Sequence, residues 1–160
     1  MARVLVAYYS RTGKTERMAG AVADGVRGVG LEVDLKSVQE VAAADLLQYE
    51  GLIFGAPTYY GTIPWEMKKL VDESVQFHGQ LLGKVGGAFA SSANIAGGNE
   101  TTILDILKIF LIHGMIIQGA AQGDHYGPVS VGAPNDRSLP QCAALGRRVG
   151  ELVKRLFPVA

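Results

Sequence analysis

Short apolar runs alternate along this chain with longer stretches in which apolar residues recur every three or four positions. Val4-Leu5-Val6-Ala7 comes first, and Met18, Ala19, Val22, Ala23 and Val26 then share one helical face. The pattern predicts strands over 3–8, 32–37, 51–55, 84–90 and 115–119. It predicts helices over 14–29, 62–74, 101–112 and 140–156, with a short helix over 42–47. The strands are Val-, Leu- and Ile-rich runs rather than strict alternations, as expected when helices cover both faces of a parallel sheet. Such a βαβ series predicts a doubly wound α/β sheet. Residues 124–139, rich in Gly, Pro, Asn and Ser, read as a long loop before the last helix.

In sheets of this kind a ligand binds beyond the carboxyl ends of the strands, where strand order reverses. Three loops emerge there, and each has distinctive chemistry. The first is Ser10, Arg11, Thr12, Gly13, Lys14 and Thr15. Its helix start offers unpaired N–H groups, its hydroxyls add donors, and Gly13 permits close backbone approach, all of which suit a phosphate. The alternative is a polar turn with Thr12 as an ordinary helix N-cap. The second loop carries Pro57, Thr58, Tyr59, Tyr60, Gly61 and Thr62, two aromatics beside a glycine. The third runs Ser91, Ser92, Ala93, Asn94, Ile95, Ala96 and Gly97, almost all small or polar. Together they suit a phosphorylated planar ring, although a Tyr-Tyr pair after a strand can equally be a partly buried wall.

Three other phosphate-handling classes are excluded. A triphosphate P-loop needs a glycine where Tyr8 stands, five positions before Gly13-Lys14. The G-x-G-x-x-G dinucleotide fingerprint is absent. A phospho-acceptor receiver needs acidic residues after the first strand, where tyrosines stand instead.

The 160 residues point to one domain spanning 1–160, large enough to bury roughly 70% of its unfolded surface. Fifteen basic and fifteen acidic residues balance, which argues against nucleic acid as a partner. The single cysteine, Cys142, reads as a small buried residue among alanines. No spacing of His or Cys suggests a metal site. Residues 103–117 are too short and too interrupted by Asp105, Lys108, His113 and Gly114 to span a membrane. Without a signal peptide before the first strand, the chain reads as soluble and cytoplasmic.

The first loop, with Val4-Leu5-Val6-Ala7-Tyr8-Tyr9 before it, resembles the FMN phosphate loop of the flavodoxin-like superfamily. Three further stretches, Leu52 to Thr58 with Gly61, Gly97 to Ile103, and His113-Gly114-Met115, resemble the WrbA type of NAD(P)H:quinone oxidoreductase. The resemblance implies a five-stranded parallel sheet of order 2-1-3-4-5 in three αβα layers. It implies that Ser10 to Thr15 hold the FMN phosphate. Pro57 to Thr62 would border the isoalloxazine ring, with Tyr59 or Tyr60 along it. Ser91 to Gly97 would wrap its pyrimidine end. It further implies an FMN-dependent enzyme passing two electrons from NADH or NADPH to a quinone or similar acceptor, with no catalytic residue demanded of the protein. The alternative within the resemblance is a one-electron flavodoxin-type carrier; a scaffold that binds no flavin is a third reading. Carriers of that kind are usually acidic, and this chain is neutral.

Related enzymes carry two histidines before Gly-Met. Here Ile112 stands at the first position, and the helix dipole already accounts for His113 at the second. Trp65 is expected on the sheet or at an interface rather than on the flavin. The helix over 101–112 is apolar around nearly its whole circumference, which suits a subunit interface or, alternatively, a central helix under the long late loop; the resemblance implies a homodimer or homotetramer.

Overall fold

The computed structural model describes residues 2–158. Six parallel strands form its sheet: β1 (Arg3–Tyr8), β2 (Glu32–Ser37), β3 (Gly51–Pro57), β4 (Val85–Ser92), β5 (Ile116–Ile117) and β6 (Val129–Val131). Their order is β2-β1-β3-β4-β5, with β6 also on β4. Four α-helices flank it: α1 (Lys14–Arg27), α2 (Trp65–Glu73), α3 (Asn99–Ile112) and α4 (Ser138–Leu156). Short 3-10 turns lie at Val38–Glu40, Ala43–Gln48 and Ser74–Phe77. The five-strand order implied by the resemblance is therefore present, with one short strand added.

That added strand corrects the reading of 124–139 as loop. β5 pairs Val85 with Ile116, and further along the same edge of β4, β6 pairs Ala90 with Val129. The fifth strand is thus broken in two, and residues 118–128 leave the sheet between its halves. The glycine-rich sequence of that excursion forms no ladder. Polar ties hold its ends instead. The Val129 N–H donates to Asp124 Oδ2 at 3.0 Å, Arg137 pairs with Asp124, and Arg148 Nε donates to Gln118 O at 3.2 Å.

Other boundaries shift for local reasons. α2 starts at Trp65 because Thr62 closes a tight hairpin with Tyr59 and Pro64 occupies the N-cap. α4 starts at Ser138, where the Asn135 N–H donates to Ser138 Oγ at 2.9 Å and the Ser138 N–H to Asn135 Oδ1 at 3.1 Å.

Each face of the sheet buries its own apolar layer. On one face Leu5, Ala7, Leu52, Phe54 and Ala88 pack against Met67 and Leu70 of α2 and Ile103, Ile106 and Phe110 of α3. On the other, Val4, Val6, Ile53 and Phe89 meet α1 and α4. Those two helices approach closely through reciprocal glycines. A Cβ on Gly25 would lie 2.1 Å from Ala143 O, and one on Gly146 only 1.9 Å from Val22 O. Cys142 is buried in this layer as expected, and burial pushes its thiol up to about 12. Among the described residues, no helix is long and apolar enough to cross a membrane.

Candidate functional site

At the carboxyl end of β1, β3 and β4 lies a cavity of about 180 Å³. Its wall contains Ser10, Arg11, Thr12, Lys14 and Thr15 from the first loop, Pro57, Thr58 and Tyr59 from the second, and Ser91, Ser92 and Ala93 from the third. Residues 76 positions apart are joined directly: Thr15 Oγ1 and Ser91 Oγ are 2.9 Å apart, both buried. The Thr58 N–H donates to Ser91 O at 2.7 Å and ties the second loop to the third.

The first loop turns through Gly13, which adopts φ 83° and occupies the N-cap of α1. Thr12, the N-cap in the alternative reading of this loop, is therefore not the cap. With the left-handed turn placed at Gly13, Thr12 stays on the cavity wall and no side chain caps the helix. The Gly13 N–H is taken by Ser10 Oγ at 3.1 Å. The remaining first-turn N–H groups have no intrahelical acceptor, and the helix dipole adds positive potential beside them. Uncapped N–H groups beside the hydroxyls of Ser10, Thr12 and Thr15 form a donor set that matches a phosphate's acceptor oxygens. Arg11 and Lys14 line the wall yet remain exposed.

The second loop divides its residues. Tyr59 lies on the cavity wall, and the ring of Tyr9 meets it edge-on at 6.3 Å. Tyr60 is fully exposed at the hairpin tip with φ 49°. Gly61 (φ 80°) and Thr62 face α3 instead of the cavity. Ser91 and Ser92, read from the sequence as loop, are the last two residues of β4; with Ala93 they line the cavity, whereas Asn94, Ile95, Ala96 and Gly97 form a rim outside it. Ser92 Oγ donates to Asn94 O at 2.9 Å and accepts from Asn99 Nδ2 at 2.9 Å, which shapes that rim.

One wall residue lies outside the three loops. Gly132 follows β6, lines the cavity, and donates its N–H to Ser92 O at 2.8 Å. The alternation Val129-Ser130-Val131 before a glycine is the signal that could have marked it. Tyr9 backs Tyr59, and its hydroxyl is raised above the ordinary tyrosine value chiefly by hydrogen bonding to Glu66, with burial adding to it. Tyr8 is raised by burial and by Glu16, whose carboxylate accepts its hydroxyl at 3.1 Å.

The histidines lie elsewhere. His113 caps the carboxyl end of α3, roughly 20 Å along the helix from the cavity end. Its Nε2 meets Ser74 Oγ at 2.9 Å, and burial followed by the His78 charge lowers its pKa. His125 is held by Ala120 O at 2.8 Å and, with Tyr126, lines a separate small cavity under the excursion. Trp65, expected on the sheet or at an interface, is 69% exposed on the first turn of α2 and so is not packed on the sheet. Leu111 and Ile112 are also exposed on α3, while Ile103, Ile106, Leu107 and Phe110 are buried. Among the described residues, no three His, Cys, Asp or Glu side chains could hold a metal ion.

Comparison with known proteins places this geometry in a family. The Flavodoxin family model matches residues 6–107. A protein named flavodoxin from Clostridium saccharobutylicum is 38% identical over 97% of this chain and 99% of its own length. One named NAD(P)H dehydrogenase (quinone) from Archaeoglobus fulgidus is 35% identical over 98% of this chain and all 100% of its own. Among solved structures, a WrbA-like flavodoxin from Agrobacterium tumefaciens superposes with a TM-score of 0.82 at 27% identity, covering 97% of this chain and 99% of that one. The sheet order, the three loops on one edge and these matches agree: the chain belongs to the flavodoxin family.

Proposed function

We propose that this protein is an FMN-dependent oxidoreductase that passes two electrons from NADH or NADPH to a quinone or similar acceptor. The observation that carries the reading is the cavity itself: an uncapped helix N-terminus and a hydroxyl cluster at one end, a tyrosine wall and a small-residue strand end at the other. The family implies FMN, and the donor set fits its phosphate.

In this reading the N–H groups of the first turn of α1, with the hydroxyls of Ser10, Thr12 and Thr15, bind the phosphate. Arg11 and Lys14 supply positive charge from the exposed rim. Pro57, Thr58 and Tyr59 border the ring, and offset or edge contact with Tyr59 suits aromatic pairs. Tyr60, Gly61 and Thr62 form the hairpin that supports that border. In this reading the Ser91 to Gly97 segment wraps the pyrimidine end, where pre-organised N–H donors stabilise negative charge; the Gly97 N–H is itself held by Asn94 O at 3.2 Å. Bound FMN would supply the acceptance of hydride and the onward release of electrons, chemistry that belongs to the cofactor. The protein positions the ring and shapes access to it, so no side chain is assigned as catalytic.

Relatives bear both names, NAD(P)H dehydrogenase (quinone) and flavodoxin, and the second favours a one-electron carrier. Against it stands the balanced charge, because carriers use a strong acidic field to steer toward basic partners. The enzyme reading extends to a homodimer or homotetramer, supported by the exposed Leu111 and Ile112 on α3.

The test is purification, a visible spectrum, and titration of the apoprotein with FMN. A yellow protein that bleaches rapidly on anaerobic addition of NADH or NADPH, and recovers its colour with a quinone, supports the enzyme. Bound FMN that is reduced by dithionite but ignores both nicotinamides supports the carrier. A colourless protein that ignores added FMN refutes both.

A further inference from the structure

The hairpin beside the cavity is conformationally costly, and the structure holds it from outside. Tyr59 and Thr62 exchange backbone hydrogen bonds, the Tyr59 N–H to Thr62 O at 2.9 Å and the Thr62 N–H to Tyr59 O at 3.2 Å. Both residues between them lie at positive φ, Tyr60 at 49° and Gly61 at 80°. A two-residue turn with both φ positive favours Asn or Asp followed by Gly. Tyrosine in the first of those positions is strained.

Three side chains on the first two turns of α3 meet this hairpin. Asp105 Oδ2 accepts the Thr62 hydroxyl at 2.6 Å. Thr101 Oγ1 reaches Gly61 O at 2.8 Å and Gly98 O at 2.9 Å, sharing its one proton between them, and Thr102 Oγ1 lies 3.0 Å from Thr58 Oγ1 and 2.9 Å from Gly98 O. Spacings of three and four residues place all three on one helical face. The other Asp105 oxygen is held by Lys108 Nζ at 2.6 Å, so the carboxylate is fixed from both sides. The approach is tight: a Cβ on Gly98 would lie 2.8 Å from Gly61 Cα. Burial raises the Asp105 carboxyl, but Lys108 and the Thr62 hydroxyl outweigh it and hold the group below its ordinary value.

We propose that Asp105, with Thr101 and Thr102, is a positioning element that keeps the Tyr59–Thr62 hairpin in its strained form and thereby pre-forms the ring-binding side of the cavity. The phosphate side is built by α1 and Ser91, outside the Tyr59–Thr62 hairpin. When the hairpin relaxes, the ring end of a ligand must restore it, and apparent affinity falls by the fraction of molecules still competent. The ligand consequence rests on the FMN reading; the hold on the hairpin does not.

The experiment compares Asp105→Ala, Asp105→Asn and Thr62→Val as apoproteins with three probes: inorganic phosphate, lumiflavin (the ring without its phosphate arm) and FMN. Hydrogen exchange at the Thr62 amide is followed in parallel. The expected result is at least fivefold faster exchange in Asp105→Ala and Thr62→Val, with lumiflavin and FMN weakened about three- to tenfold and phosphate unchanged within twofold. Asp105→Asn, which keeps an acceptor for Thr62, recovers most of both effects. A general structural defect would weaken all three probes and would not be rescued by Asn. Should either variant misfold, the other reports on the same bond. Unchanged exchange, or unchanged lumiflavin affinity despite faster exchange, overturns the proposal. Wild-type protein that binds no flavin at all overturns the function above, while the exchange rates still decide whether α3 holds the hairpin.

Discussion

The hydroxyl pair Thr15–Ser91 offers a quantitative test of how the cavity is joined. Thr15 is 2% exposed and Ser91 6%, so removing one partner leaves the other hydroxyl largely shielded from bulk water. Thr15→Val keeps the shape and deletes one hydroxyl, which leaves Ser91 Oγ unpaired. An orphaned buried polar group costs about 1–3 kcal/mol, whereas removing both partners can be nearly neutral. Thr15→Val and Ser91→Ala should therefore each destabilise by about 1–2 kcal/mol. For a chain of this size that is roughly 2–8 °C in Tm. The double variant should cost far less than the sum, with a coupling of about 1 kcal/mol or more. Urea unfolding followed by far-ultraviolet circular dichroism measures all four corners of the cycle. The 2.9 Å contact also orders the protons. If Ser91 donates to Thr15, the Thr15 proton is free for a phosphate oxygen. Thr15→Val should then lower FMN affinity about tenfold, as loss of a charge-assisted bond does, and Ser91→Ala less than threefold. Additive single effects, or singles below about 0.5 kcal/mol, would refute the buried-pair argument. A Ser91→Ala loss as large as that of Thr15→Val would refute the assignment of Thr15 as donor.

Gly98→Ala would place a methyl 2.8 Å from Gly61 Cα at a residue with φ 100°, so it should destabilise by about 1–3 kcal/mol in urea unfolding. Cys142, fully buried with its thiol pushed to about 12, should resist an exposed-thiol reagent at mildly alkaline pH and react completely once the chain is unfolded; rapid native labelling would contradict the packing of α4. Asp105 has its carboxyl held below the ordinary 3.8, so its contribution is present above that value and is lost as pH falls through the lower folded value. The stability difference between wild type and Asp105→Ala should accordingly shrink as pH falls below 3.8, and a difference that grew on acidification would reverse the sign of the argument.

Much of the scaffold was legible because its signals are local. Apolar runs of strand length and faces of helical period located β1 to β4 and all four helices, since each element must bury its own stripe. The three polar loops were legible for the same reason, because their residue types are rare inside packed elements. β6 was missed because a three-residue alternation is too short to stand out in a glycine- and proline-rich stretch; pairing with Ala90 to Ser92 of β4 makes it a strand. Thr62 was read as the start of a helix because its neighbours are helical in pattern, yet its bridge to Tyr59 and its bond to Asp105, 43 residues away, place it in a turn.

The division between the two levels is sharpest at the cavity. The sequence by itself determined which chemistry is available: hydroxyls and a glycine after β1, tyrosines after β3, small polar residues after β4. Only the tertiary structure decided which members point inward. Tyr59 lines the wall and Tyr60 faces solvent, although they are adjacent and chemically identical. Thr15 is committed to Ser91, and Gly132 enters from a segment with no phosphate-binding signature. The physical reason is that residue type sets what a side chain can bond, while its direction follows from backbone dihedrals and from partners far away in the chain. At this site those partners are Ser91 for the first loop and the Thr101–Asp105 face of α3 for the second.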